Sequence, residues 1–245
     1  RWMYDVTRQS MAAHGYVLPS YAAFLKEGWF KIDECAEPMV ILDKFRADPV
    51  ANKLDTPSGK IEIFSQVIAG FGYGDCPPHP AWLTPPEWLG GKQHDSQLHL
   101  LCNQPTHKLH SQLDHGSVSR AAKIGGHEPV LINADDAAAR GITDGAIVRV
   151  FNARGACLCG ARLSRKIMPG VLMISTGAWF DPDISGASGL DCKHGNPNVL
   201  TPDRGTSSLA QGPAAHSCLV DIEPWVGAPV EVTAFTAPQI VPTGP

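Results

Sequence analysis

Between residues 97 and 223 the chain sorts into short apolar runs separated by turn-forming residues. The runs are L-H-L-L-C-N (98–103), P-V-L-I-N (129–133), A-I-V-R-V-F (146–151), A-C-L-C-G-A-R-L (156–163), V-L-M-I-S (171–175) and H-S-C-L-V-D-I-E (216–223). Each is long enough for a strand and too short for a packed helix. Asp144-Gly145, Asn152–Gly155 and Met168-Pro169-Gly170 supply turns, and the runs flanking Asn152–Gly155 predict a hairpin. One helix stands out among the strands. Asn133 is a fitting N-cap for D-D-A-A-A-R, the two aspartates sit at the positive end of the helix dipole, and Gly141 stops it. Six strands and one clear helix predict a small mixed β-barrel.

Upstream the pattern is different. Residues 1–54 read as helical connecting structure, with Ser20 capping S-Y-A-A-F-L-K-E and Gly28 ending it. T-P-S-G (56–59) is a turn, and K-I-E-I-F (60–64) alternates as a strand does. Ser65 caps a short helix, Q-V-I-A-G-F. Residues 70–91 are rich in Gly and Pro and carry Trp82 and Trp88, which places a domain boundary there. The expected division is a helical connecting segment from a preceding domain (1–91), a barrel (92–223), and an extended tail (224–245) with five prolines.

Composition narrows the function classes. The chain has 245 residues, enough for one or two domains, and 43% apolar residues, enough for a core. A net charge of −4 with 18% charged residues argues against a broad nucleic-acid-binding surface. No apolar run reaches the ~18 residues of a membrane span. Arg1-Trp2-Met3 reads as the interior of a longer protein. The seven cysteines are scattered and lack a C-x-x-C pair, so neither a disulfide framework nor a zinc site is indicated. Cys157 and Cys159 lie two apart on one strand and share a face. Seven apparently unpaired thiols point to a reducing compartment such as the cytoplasm.

No G-x-S-x-G elbow, P-loop or G-x-G-x-x-G is present, and no self-contained acid pair or Ser/His/Asp set stands out. Any redox chemistry therefore has to come from a cofactor. Three polar clusters are candidates to bind one. The first is the loop leaving the 98–103 strand, with Asn103, Gln104, His107, His110, Ser111 and Gln112. His107 and His110 share a face if that loop is helical, as metal ligands do; the plainer reading is that these groups satisfy the loop's own backbone. The second is G-A-W-F-D-P (177–182), with Trp179 and Asp181. The third is Asn198, Gln211 and Gly212; a carboxamide offers a donor and an acceptor and so suits the edge of a heterocycle. Ser111, Ser117 and Ser119 are suited to a phosphate, and Arg120 to neutralising its charge.

T-P-S-G-K-I-E-I-F-S (56–65), Q-P-T-H-K-L-H-S-Q (104–112), N-A-D-D-A-A-A-R-G-I (133–142), G-A-W-F-D-P (177–182) and the stretch Asn198–Asp221 stand in one order. Together they resemble the C-terminal part of a bacterial molybdopterin oxidoreductase of the dimethyl sulfoxide, trimethylamine N-oxide and biotin sulfoxide reductase group. The resemblance covers roughly residues 40–223. It implies an α+β chain, mainly β, folded as a six-stranded double-psi barrel. It implies that Asn103, Gln104, His107, Leu109, His110, Ser111, Gln112, Trp179, Asn198, Gln211 and Gly212 bind a molybdopterin guanine dinucleotide. It implies two such cofactors holding molybdenum in the whole enzyme, oxygen removed from an S-oxide or N-oxide, and an electron-donor protein as partner besides the upstream domains. The metal-ligating serine of that group lies upstream of the matched region, so this stretch alone is expected to be inactive and to retain little molybdenum. Relatives in the group also work in the periplasm. Phe180 departs from the tyrosine common there, which removes a hydroxyl. The competing expectation is a non-catalytic binding module on the same barrel, with Trp82, Trp88 and their prolines as its contact surface.

Overall fold

The computed structural model describes residues 1–32 and 40–237; Cys35 and residues 238–245 of the tail lie outside them. The chain divides into two compact units, 1–62 and 63–245. The first holds three helices, α1 (Trp2–Ala13), α2 (Tyr21–Glu27) and α3 (Asp43–Ala47). Ser20 caps α2 by accepting from the Ala23 amide, and Gly28 ends it in the left-handed region at φ 78°, as the sequence predicts. Tyr4 stacks on Phe24 with centroids 4.7 Å apart and donates to the Pro19 carbonyl. None of the three helices has a buried residue.

The expected strand at 60–64 does not form. Ile61 and Ile63 are 64% and 78% exposed, and no described strand pairs with them. An alternating pattern gives a strand only where a neighbouring edge takes up its amides. The next cap is right: Ser65 accepts from the Ile68 amide and opens α4 (Gln66–Phe71). A single 3-10 turn follows at Leu89–Gly91.

Six strands then close into a barrel. They are β1 (Leu98–Leu101), β2 (Pro129–Asn133), β3 (Ile147–Asn152), β4 (Gly155–Ser164), β5 (Val171–Ile174) and β6 (Leu219–Pro224), in the closed order β1-β5-β2-β4-β3-β6. β1 runs parallel to β5 and β2 parallel to β4, while the other four pairs are antiparallel. This is the double-psi arrangement, and it has no free edge. The interior is built by period-two positions: Leu98 and Leu100, Val130 and Ile132, Val148 and Val150, Cys157, Cys159 and Ala161, Leu172 and Ile174, Val220 and Ile222. Cys157 and Cys159 share the interior face as their spacing predicts, with sulfurs 3.9 Å apart. β4 is also covered outside, where Ala156 and Leu158 pack with Leu190, Trp225 and Val230. That explains its unbroken burial from Ala156 to Ala161.

Two helices decorate the barrel. Asn133 accepts from the Asp135 amide and starts α6 (Ala134–Ala138), as predicted. α5 (Ser117–Ala122), between β1 and β2, is unanticipated; Gly116 stands at its N-cap and no side chain announces it.

Candidate functional site

The strand directions gather the candidate segments at one end of the barrel. β5 ends beside the end of β1, because the two are parallel. β6 is antiparallel to β1 and to β3, so the start of β6 and the end of β3 lie there too. The loop leaving β1, the loop leaving β5, the β3–β4 hairpin and the segment entering β6 therefore emerge together. The Cys102 amide meets Nδ1 of His216 at 3.4 Å, tying the first of these to the last.

The loops after β1 and β5 are locked to each other. The Asn103 carbonyl accepts from the Thr176 amide at 3.0 Å, and its Oδ1 from the Ser175 hydroxyl at 2.9 Å. Trp179 donates its indole N–H to the Ser111 carbonyl at 2.7 Å. Gly177 has φ 91°, and a Cβ there would stand 1.9 Å from the His110 carbonyl oxygen. Only glycine lets these two backbones touch. His107 and His110 do not share a helix face. The segment is a tight turn in which His110 has φ 51° and Leu109 bridges Gln112. Asp181 is buried and accepts from the Thr233 amide and hydroxyl, both at 2.6 Å, with Lys193 at 3.3 Å. It anchors the tail rather than facing the loops.

A cavity of about 250 Å³ lies beneath the loop that leaves β1. Asn103 and His107 line it, with Leu131, Met173 and Arg162 from β2, β5 and β4. Gln104, Leu109, His110, Ser111 and Gln112 are exposed around it or beyond it, and Trp179 is half-buried. Asn198 lies in a 3-10 turn at Pro197–Val199, tied to the β3–β4 hairpin where Asn152 donates to the Leu200 carbonyl; it and Gln211 are exposed and do not line the cavity. Gln211 donates to the Ser207 carbonyl at 3.2 Å, and the half-buried Gly212 accepts from the Thr206 amide at 2.9 Å. Arg154 holds this segment in place. It pairs both guanidinium ends with Glu87, at 2.6 and 2.9 Å, and donates through Nε to the Leu200 carbonyl. Burial raises the Glu87 carboxyl, but Arg154 and the Leu219 amide outweigh it and leave the group below its ordinary range.

Sequence reasoning missed the most heavily buried chemistry. Lys108 and Lys123 each donate to Asp114 Oδ1 and Glu128 Oε2, over distances of 2.6 to 2.9 Å. Asp114 also accepts from the Ser119 hydroxyl and, through Oδ2, from the Trp179 amide. Ser119 is thus spent internally and not available to a phosphate. Burial pushes the Asp114 carboxyl up, yet the two ammonium groups and the Trp179 amide pull it down to about 2. His194 lies 3.8 Å from Asp114, fully buried, with Nδ1 bonded to the Trp179 carbonyl and Nε2 without a described partner. Burial, reinforced by Lys123, lowers its pKa and keeps the imidazole neutral, so Nδ1 carries the proton. Phe235 of the tail closes over this group, edge-on to His194 at 4.9 Å and 5.6 Å from the Trp179 ring. Arg120 stacks over Phe235 at 5.6 Å, which is its described role here. The four charges are irregularly spaced along the connection between β1 and β2 and carry no spacing signal. The one legible hint was Glu128, a carboxylate directly before a strand that must be buried.

Comparison with known proteins adds the following. Residues 98–219 match the model of the molydopterin dinucleotide binding domain. The chain is 45% identical over 238 residues to a dimethyl sulfoxide/trimethylamine N-oxide reductase of Cereibacter sphaeroides, covering 96% of this chain and 29% of that protein. It is 42% identical to a trimethylamine-N-oxide reductase of Haemophilus influenzae, covering 97% and 29%. It is 43% identical to a biotin sulfoxide reductase of Cereibacter sphaeroides, covering 93% and 30%. The chain thus spans less than a third of the length of these curated relatives. Acetylene hydratase from Pelobacter acetylenicus shares the fold, with a TM-score of 0.59 at 18% identity over 73% of this chain and 25% of that one.

Proposed function

Since the chain belongs, through residues 98–219, to the molydopterin dinucleotide binding domain family, we propose that it is the cofactor-holding part of a molybdenum enzyme that reduces S-oxides or N-oxides. The observation that carries this reading is the pair of interlocked loops at one barrel end with polar side chains left unspent. Gln104, His107, His110 and Gln112 are exposed there, and their side chains make no hydrogen bond with described residues. Asn198 is exposed at the same end in the same state. A pterin presents donors and acceptors along its edge, which carboxamides and imidazoles match. Asn103, Gln104, His107, Leu109, His110, Ser111, Gln112 and Trp179 would hold one part of a bis(molybdopterin guanine dinucleotide), and Asn198, Gln211 and Gly212 another. Arg162 at the cavity supplies a positive charge for a diphosphate. The bound group would supply the two-electron oxygen-atom chemistry, and this chain's residues would bind it, orient it and exclude water from its edges.

The wider reading follows from the same premise. Upstream domains of one polypeptide would complete the metal centre, an electron-donor protein would reduce it, and residues 1–91 would connect those domains to the binding domain at 92–223. No nucleic acid is called for. No helix among the described residues is long and apolar enough to cross a membrane. The stretch alone would lack turnover and keep little molybdenum. A second reading is a non-catalytic binding module, favoured by Trp82, which is 78% exposed among prolines.

The test is metal and nucleotide analysis of the purified full-length protein, with reduced viologen as electron donor and a panel of S-oxides and N-oxides. Molybdenum and guanine dinucleotide in fixed proportion, with oxide-dependent viologen oxidation, are expected. A folded full-length protein containing neither would overturn the reading in favour of the binding module.

A further inference from the structure

Lys108 lies in the middle of the loop that carries the candidate cofactor contacts, yet its side chain is 2% exposed and faces away from solvent into an ion cluster. Its ammonium reaches Asp114 Oδ1 and Glu128 Oε2, both at 2.8 Å. Lys123, the C-cap residue of α5, reaches the same two oxygens at 2.9 and 2.6 Å and is equally buried. The cluster is neutral, two ammonium groups against two carboxylates. Its members belong to different parts of the barrel end. Lys108 comes from the loop after β1, Ser119 from α5, Lys123 from the C-cap of α5, and Glu128 from the residue before β2. Asp114 adds the loop after β5 by accepting the Trp179 amide at 2.9 Å.

A buried ion cluster of this kind contributes little net stability over a well-packed apolar one, because desolvating the ions offsets their attraction. What it does supply is geometry, since each ammonium must satisfy two fixed oxygens and each carboxylate has defined donors. Apolar packing would leave the loop free to slide by a fraction of an ångström. Two further contacts fix only the far end of the loop, the indole bond to Ser111 and the backbone touch of Gly177 on His110.

We infer that Lys108 is a positioning residue, pinning the loop 103–112 to the barrel through Asp114 and Glu128 so that its exposed polar side chains stand ready for the cofactor. The inference rests on the proposed function for what the loop binds, but not for the pinning itself.

The two lysines provide an internal control. They share partners and burial, so Lys108→Met and Lys123→Met remove the same charge from the same cluster. Only Lys108 belongs to the loop. Both variants are made in the full-length protein, and two quantities are read. The first is amide hydrogen exchange of residues 103–112; the second is cofactor content per folded molecule, set beside the melting temperature. Both variants should melt lower by similar amounts. Lys108→Met should speed exchange in 103–112 by at least tenfold beyond Lys123→Met, and should retain several-fold less cofactor. A purely structural cluster predicts equal exchange and equal retention at equal loss of melting temperature, and that result would overturn the inference. Should either lysine variant fail to fold, the charge-balanced pair Lys108→Met with Glu128→Gln, against Lys123→Met with Glu128→Gln, carries the same comparison. A wild-type protein devoid of cofactor would sink the proposed function, while the exchange comparison alone would still decide the pinning.

Discussion

Gly177 shows how much can hang on one missing methyl group. An added Cβ would sit 1.9 Å from the His110 carbonyl oxygen, at a φ of 91° that side chains rarely adopt. Gly177→Ala should therefore cost ~2–4 kcal/mol, combining overpacking with backbone strain. Gly141→Ala is the comparison: φ is 66° but nothing lies within 4 Å, so only the backbone cost of ~1 kcal/mol applies. Chemical denaturation of both variants checks the difference, and equal losses would mean the loops simply move apart. Asp114 makes a pH prediction at the same scale. Its folded carboxyl titrates near 2, below the ordinary 3.8, so its ionised form stabilises the fold above pH ~4 and that contribution disappears as pH falls towards 2. The shift corresponds to ~2 kcal/mol, an upper figure for a group shared among two lysines. Asp114→Asn should flatten the acid limb of stability measured between pH 4 and 2 while lowering stability at neutral pH. Neither residue was legible in the sequence as more than a loop member. A glycine next to a strand end and an aspartate before a turn are common, and only the crossing of two distant loops gives them their roles.

At the scale of elements the sequence was far more telling. The six apolar runs all became strands, because burial on a closed barrel's interior demands period two and each run is too short to form a packed helix of its own. Caps at Ser20, Ser65 and Asn133 formed as read, since a side-chain acceptor and a free helix amide are neighbours in sequence. The failures were of the opposite kind. K-I-E-I-F needed a pairing edge, and α5 begins at Gly116 without a side-chain cap, so no local signal existed. The candidate site divides in the same way. The polar loop after β1 was visible as a cluster, whereas the charges that hold it are irregularly spaced along the β1–β2 connection and follow no motif. Arg154 belongs here, because it joins the β3–β4 hairpin to Glu87 and to the segment entering β6. Arg154→Lys cannot make the paired contact with Glu87 and still reach Leu200. It should lose ~1–3 kcal/mol of stability. Limited proteolysis should show earlier cutting within residues 200–217, and an unchanged cleavage pattern would mean the segment is held by other contacts.

For the whole molecule, the barrel interior decides how its thiols behave. Cys102, Cys157, Cys159, Cys192 and Cys218 are all buried, and burial raises Cys102 to about 12 and Cys218 to about 11. Their number no longer argues for one compartment, because enclosure by itself withholds buried thiols from oxidants in either the cytoplasm or the periplasm. Alkylation of these five should track global unfolding in a denaturant series; labelling of any of them well below the transition would reveal a local opening of the barrel. The closed strand order has one more consequence, and it concerns time. β1 is the first strand made, and its only neighbours are β5 and β6, the last two. Leu98 must wait for Val220, and at ~5–20 residues per second on the ribosome that wait is on the order of ten seconds. Until β5 is made neither edge of β1 has its partner, and until β6 is made one edge still lacks it, with the apolar pair Leu98 and Leu100 not yet enclosed. The topology that leaves the finished barrel with no edge makes the nascent chain dependent on protection until its last strand arrives.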